Sequence, residues 1–411
     1  MVNICNDAHV STPKGVKISS CLIGIFINLP CIATYLFPSV DGNTDSNGML
    51  GLLYIIIVSL LLINSIHNRT FSIRSINKVI WIQILSILLF YEYSVSVYPE
   101  PRTSFYHFLL FSPVALFLAS IVKVDIRHVL LTVITTAAPA IFQIKTIFLS
   151  SVMIYTSDDI LSQGYSYAFL TPAACTIIYL KYYYKSELKY KTGILCVNII
   201  NLLFSYFLIS LGSRGPVMAL VFLVLISYVL KDDTNMIGVR IRTKNALIII
   251  VAVVFVSNYF VPILSLLQSV LDSFNISFHF VDKFLIRNEA GDITSARGDI
   301  YDMAMKGFYN HPMLGNGFDQ FYNNTGRGYP HNFITQTLYD GGLLLFSITI
   351  LPVLVKLFRW YQCCNHEQFI MILLLFIVSV PGGLVSHDLW EMGNLWFFYG
   401  ACLNYERFVY R

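Results

Sequence analysis

The chain has 411 residues, 56% of them hydrophobic and only 12% charged, with a mean hydropathy of +0.66. A soluble domain carries roughly 25% charge, so the composition excludes one and reads as an all-α, polytopic integral membrane protein. The net charge of +4 points to no nucleic-acid partner, and the eight cysteines, with no CxxC pair or His cluster, imply neither a disulfide framework nor a metal site.

Lys14 and Lys17 precede the first apolar run, and no small-residue cleavage site follows, so an uncleaved first helix is expected. Windows of about 20 apolar residues lie near 18–38, 49–65, 78–98, 105–122, 128–148, 165–183, 192–211, 214–230, 245–265, 338–358, 367–385 and 392–408. They predict about 12 transmembrane helices, nine over 1–265 and three over 338–411, separated by one long external loop over 266–337. With the N-terminus inside, 19 of the 27 Lys and Arg residues fall on the inner side, among them Lys185, Lys189, Arg240, Arg242 and Arg359. The short outer loops carry Asp41, Asp45, Glu100, Asp158 and Asp159. The positive-inside rule thus predicts two cytoplasmic termini and an external loop.

Within that loop, Phe274 to Val281 is a short apolar stretch that suits an interfacial helix. Thr294 to Met305 reads as a second helix, capped by Thr294 or Ser295, with Asp299 and Asp302 suiting its dipole. It stops before His311-Pro312. Leu314-Gly315-Asn316-Gly317-Phe318 is a turn, and Gly326, Gly328 and Pro330 set another just before the next span.

Few residues carry chemistry. Arg214 lies in Ser213-Arg214-Gly215-Pro216, between two spans with almost no loop between them. An unpaired arginine at the membrane edge is costly. It either snorkels to the surface or clamps an anion, and its guanidinium fork matches phosphate oxygens. Arg297, in the first turn of the loop helix, either pairs with Asp299 and Asp302 or joins the same clamp. His331, on the second turn, is either a helix cap or an acid/base group, its ordinary pKa of about 6.5 suiting proton transfer near neutrality. Tyr329, Asn332 and Gln336 are placed to hydrogen-bond a sugar or to orient the ring. His387 and Asp388 invite a dyad, but neighbours on a helix point to different sides, and an interfacial Trp390 turn is the simpler account. Asp158 and Asp159 form an acidic pair with no partner in sequence.

Three pieces in order carry a family resemblance: Ser213-Arg214-Gly215-Pro216; Arg297 followed by His311-Pro312-Met313-Leu314-Gly315-Asn316-Gly317-Phe318; and Pro330-His331-Asn332 followed by Gly341-Gly342-Leu343-Leu344. Over residues 212 to 344 the chain resembles the bacterial O-antigen polymerase and O-antigen ligase superfamily. The resemblance implies a membrane-embedded, metal-independent glycosyltransferase of the inner membrane, its site facing the periplasm, that needs no cofactor. The donor and acceptor it implies are oligosaccharides carried on undecaprenyl diphosphate, with membrane lipid around them and a chain-length regulator as a protein partner. By the same resemblance Arg214 and Arg297 would neutralise the departing diphosphate and His331 would activate or align the acceptor hydroxyl. The His-Asn-x-x-x-Gln stretch looks more like the polymerase branch, with ligase and capsule or exopolysaccharide polymerase as alternatives. A lipid-linked glycan transporter is the reading from a different class. Transporters place polar groups at mid-membrane, often in repeated halves, whereas here the polar groups collect on one loop.

Overall fold

A computed structural model describes residues 12–36, 45–68, 76–98, 101, 103–142, 159–183, 191–210, 214–230, 238–273, 281, 285 and 297–410. Among the described residues the chain is helical, with two isolated bridges, Val124–Val409 and Leu230–Ile241, and no strand. Among the described residues, each predicted window overlaps a helix. The helices Lys78–Val97, Phe333–Cys363 and His366–Val385 are each long and apolar enough to cross a membrane. Two bent pairs qualify when each is taken as one span: Lys14–Ile27 with Leu29–Leu36, bent by 65°, and Thr243–Phe255 with Asn258–Val270, bent by 75°. Shorter apolar helices include Phe105–Ile121, Ile126–Phe142, Thr192–Leu208 and Gly215–Val229. The protein is a multi-pass membrane protein whose outward faces stay apolar: Leu89, Leu202 and Leu247 are all exposed, as side chains solvated by lipid should be.

Helix extends into both ends of the stretch predicted as a loop. The helix before it runs on to Ser273, and the helix after it starts at Phe333. The Phe274–Phe280 stretch, the Thr294 and Ser295 caps, Ser213 and Asp158 lie outside the described residues.

The helix Gly393–Leu403 is the axis of the bundle. It is apolar on every side, and Leu395 through Leu403 are all buried, as a helix without a polar face must be. At its N-terminal end Trp390 and Trp396 stack 5.7 Å apart, with Phe318 5.0 Å and Phe108 5.7 Å from Trp390. The loop is thereby packed into the membrane bundle through Phe318.

One junction sets how the loop sits on the long helix. The helix Phe333–Cys363 is broken at Gly342, which takes φ 61° and ψ −158°. A break at membrane depth frees backbone groups that lipid cannot satisfy. Here the turn after His311 satisfies them: Asn316 and Gly317 donate to the carbonyls of Tyr339 (2.8 Å) and Asp340 (2.9 Å), and Leu343 and Leu344 donate to those of Pro312 (2.8 Å) and Met313 (3.2 Å). The approach is so close that a Cβ on Gly315, at φ +69°, would lie 2.2 Å from the Asp340 carbonyl oxygen. On the outer side Gly307 lets the loop helix Arg297–Asn310 close against Tyr339, and Ala304, Phe321 and Tyr339 form a small core of their own. The loop helix is therefore rigidly seated over the start of the long helix.

Candidate functional site

Asn332 ends the turn and starts the long helix. Its side-chain oxygen accepts from the backbone N–H of Ile334 (2.9 Å) and Thr335 (3.3 Å), an N-cap that satisfies two of the helix's free donors. The residue before it, His331, has φ 56°. A left-handed conformation in a residue with a Cβ costs about 1–2 kcal/mol, and surrounding structure has to hold it. Tyr329 does so from one side: its ring lies 4.3 Å from the imidazole, and its hydroxyl donates to the Ser386 carbonyl at 2.8 Å. The imidazole ring is half-buried, and its Nδ1 is buried with no hydrogen-bond partner.

Arg297, half-buried at the head of the loop helix, faces this corner. Among the described residues it makes no ion pair with Asp299 or Asp302. Its charge acts instead on His331, Tyr329 and Tyr167. Burial first, and the Arg297 charge second, hold the His331 pKa below its ordinary 6.5, while a hydrogen bond to the Ser386 backbone pulls the other way. Tyr329 is pushed up to about 12 by burial and by the nearby Asp388 and Glu391 carboxylates, so it stays a phenol.

Arg214 opens the helix Arg214–Val229; its side chain lies outside the described residues. Its neighbour locates it. A Cβ on Gly215 would lie 2.0 Å from the Tyr167 hydroxyl and 2.9 Å from Val385. Tyr167 packs edge-on against His387 at 4.3 Å, and its hydroxyl lies buried without a hydrogen bond of normal geometry. The backbone beside Arg214 thus abuts the cluster of Tyr167, Ser386, Tyr329 and His331 that Arg297 faces. Residues more than 100 positions apart converge on one corner.

Gln336 sits elsewhere. It is 2% exposed, donates to the Asp388 carboxylate at 3.1 Å and accepts from the Leu389 N–H at 2.9 Å. Its buried amide fastens the long helix to the turn carrying Asp388 and Leu389, out of reach of solvent and so of a sugar. His387 and Asp388 point apart, as their adjacency predicts. Asp388 caps the turn by accepting from the Trp390 N–H at 2.8 Å, and burial raises its pKa to about 7. His387 faces Tyr167, and burial, then the nearby His331, lowers its pKa to about 4.

Sequence reasoning missed Asp340. It is 1% exposed; one carboxylate oxygen accepts from the Trp390 indole at 2.7 Å and the other has no partner. An acid seven residues inside an apolar helix is itself the signal that finds it. The roles of Tyr167 and Ser386 left no such trace, being ordinary residues placed by folding. Among the described residues no three His, Cys, Asp or Glu side chains gather around a common point.

Residues 199–350 match the O-antigen ligase family model. The match covers a little over a third of the chain and contains all three motif pieces, so the resemblance to the polymerase and ligase superfamily holds over that stretch. It indicates an enzyme of the O-antigen ligase or polymerase type acting on lipid-linked glycans. None of the curated proteins compared with the chain matches it.

Proposed function

We propose that this protein is an O-antigen polymerase, joining oligosaccharide repeat units carried on undecaprenyl diphosphate at the outer face of the bacterial inner membrane. The observation that carries this reading is the convergence of Arg297, His331 and the Arg214-Gly215 helix start on one corner, within the segment that matches the family.

The chemistry is a displacement at the anomeric carbon. The acceptor hydroxyl oxygen forms the new glycosidic bond, the bond from carbon to the diphosphate oxygen breaks, and the hydroxyl proton passes to His331. The imidazole of His331, half-buried at this corner, is the group placed to take it. Below its ordinary pKa and neutral near pH 7, the imidazole is in the form a base requires. Arg297 stabilises the charge that develops on the leaving diphosphate, and Arg214 completes the clamp. The two roles are linked. Diphosphate at Arg297 cancels the positive charge that holds the His331 pKa down, so the base strengthens when the donor arrives. Guanidinium groups take the place a metal ion has in other transferases.

The ligase reading, transfer of the finished glycan to a lipid A core, keeps the same donor clamp and is favoured by the matching model's own description. Lipopolysaccharide from a host strain lacking the gene separates the two. Core with a single repeat unit and no ladder is expected. Bare core with long glycan retained on the carrier lipid would overturn polymerase in favour of ligase.

A further inference from the structure

Behind the Tyr167–His387 pair lies a cavity of about 350 Å³ that the reaction as described does not use. Its volume equals about a dozen water molecules, room for one sugar ring with its substituents. One end is aromatic, formed by Phe26, Tyr54 and Phe111; the other carries the side chains of Tyr167, His387, Glu391 and Asn394. The 65° bend between the first two helices places Phe26, Leu29 and Pro30 on its wall. Opposite, the helix carrying Phe111 loosens into a π-turn over Leu110–Val114, around Pro113, a distortion frequent at functional sites. The Tyr54 hydroxyl is spent on the Leu110 carbonyl at 2.8 Å, so that residue offers the cavity its ring face.

The geometry points to a binding subsite for one sugar unit of the lipid-linked glycan substrate. Aromatic faces pack on the C–H faces of a pyranose, while a carboxylate, an amide and an imidazole take up its hydroxyls. A polyprenyl chain fits worse, because it would set the imidazole and the amide of the lining against hydrocarbon. The cavity adjoins the reacting corner at His387, which packs on Tyr167 and is near enough to His331 to feel its charge. A sugar seated there lies next to the base and next to the Gly215 backbone at the diphosphate clamp. This inference rests on the transferase reading and adds to it where the glycan is gripped.

Gly164 gives the test. It lines the cavity, and a Cβ built on it meets nothing within 4 Å. Gly164→Leu therefore has open space for its Cβ, adds bulk at the cavity wall and replaces a poor helix former with a good one. Transfer is measured with the purified full-length protein in lipid vesicles, with donor and acceptor varied separately, alongside Asn394→Ala. Gly164→Leu is expected to raise one KM at least tenfold, and Asn394→Ala the same KM by about three- to tenfold, one hydrogen bond's worth. A rise for the acceptor alone assigns the subsite to the acceptor glycan; a rise for the donor alone assigns it to the donor's sugar. Unchanged KM values in Gly164→Leu overturn the subsite. So does an equal loss of binding for sugar-free undecaprenyl diphosphate, which would make the cavity a lipid site. Absence of transfer in the wild-type protein would instead count against the transferase reading itself.

Discussion

Gln336→Leu separates a structural amide from a sugar-binding one. The substitution keeps most of the side-chain volume and removes two buried hydrogen bonds, one to Asp388 at 3.1 Å and one from Leu389 at 2.9 Å. The Asp388 carboxylate keeps its bond from Trp390, but the Leu389 N–H has no substitute partner nearby. At about 1–3 kcal/mol for the one buried group left unsatisfied and about 0.5–1.5 kcal/mol for the bond lost to Asp388, the total is about 2–4 kcal/mol. Heat inactivation in detergent should therefore come at a clearly lower temperature, while KM for both substrates at low temperature stays within about twofold. Gln336→Glu sharpens the result. It restores an acceptor for Leu389 but sets a second carboxylate against Asp388, so its stability should recover as pH falls below about 7, where the pair can share a proton. Wild-type thermal stability together with a raised KM in Gln336→Leu would refute this assignment and return Gln336 to the glycan.

His331→Ala should lower the transfer rate by about 10²–10⁴-fold while donor binding persists; full activity would remove His331 from the chemistry. Because burial and Arg297 lower the His331 pKa, the wild-type kcat/KM for the donor should rise with pH along a limb whose midpoint lies below 6.5, and Arg297→Gln should shift that limb upward in pH. Arg214→Lys should lose most activity, since a point charge cannot reproduce a bidentate fork; an unchanged rate and donor affinity would mean that Arg214 only snorkels. Asp388 has a raised pKa, so the stability it lends is full near pH 4 and is lost as pH climbs through about 7. Asp388→Asn should therefore raise the inactivation temperature at pH 8 and leave it unchanged near pH 4, which thermal scans at the two pH values check.

How much of this was legible in the sequence depended on whether the signal was local. The apolar windows located the helices because a 20-residue hydrophobic run needs no partner to be read. Asn332 was legible as a residue at a helix start, and the structure uses it as the cap. Gln336, a polar residue one turn beyond a candidate base, reads as a ligand contact because the segment its amide bonds to, more than 50 residues on, is out of sight. Asp340 and Tyr167 acquire their roles only through Trp390 and Gly215, contacts that no spacing rule reports.

The glycine motifs show why the three sequence pieces come as a set. A helix interrupted at Gly342 exposes the carbonyls of Tyr339 and Asp340 and the N–H groups of Leu343 and Leu344. In lipid each would cost several kcal/mol unsatisfied. The turn Pro312–Gly317 answers all four, and only a glycine at position 315 lets its backbone come near enough. The break needs the turn and the turn needs the break, so neither piece is stable without the other. What the pairing achieves is placement. It fixes the loop helix, and with it Arg297, at one height above the segment that ends in His331. In the mechanism proposed above, a pair of groups acting on one diphosphate and one hydroxyl tolerates little play, and a rigid weld through four backbone hydrogen bonds supplies that precision where a mobile loop would not.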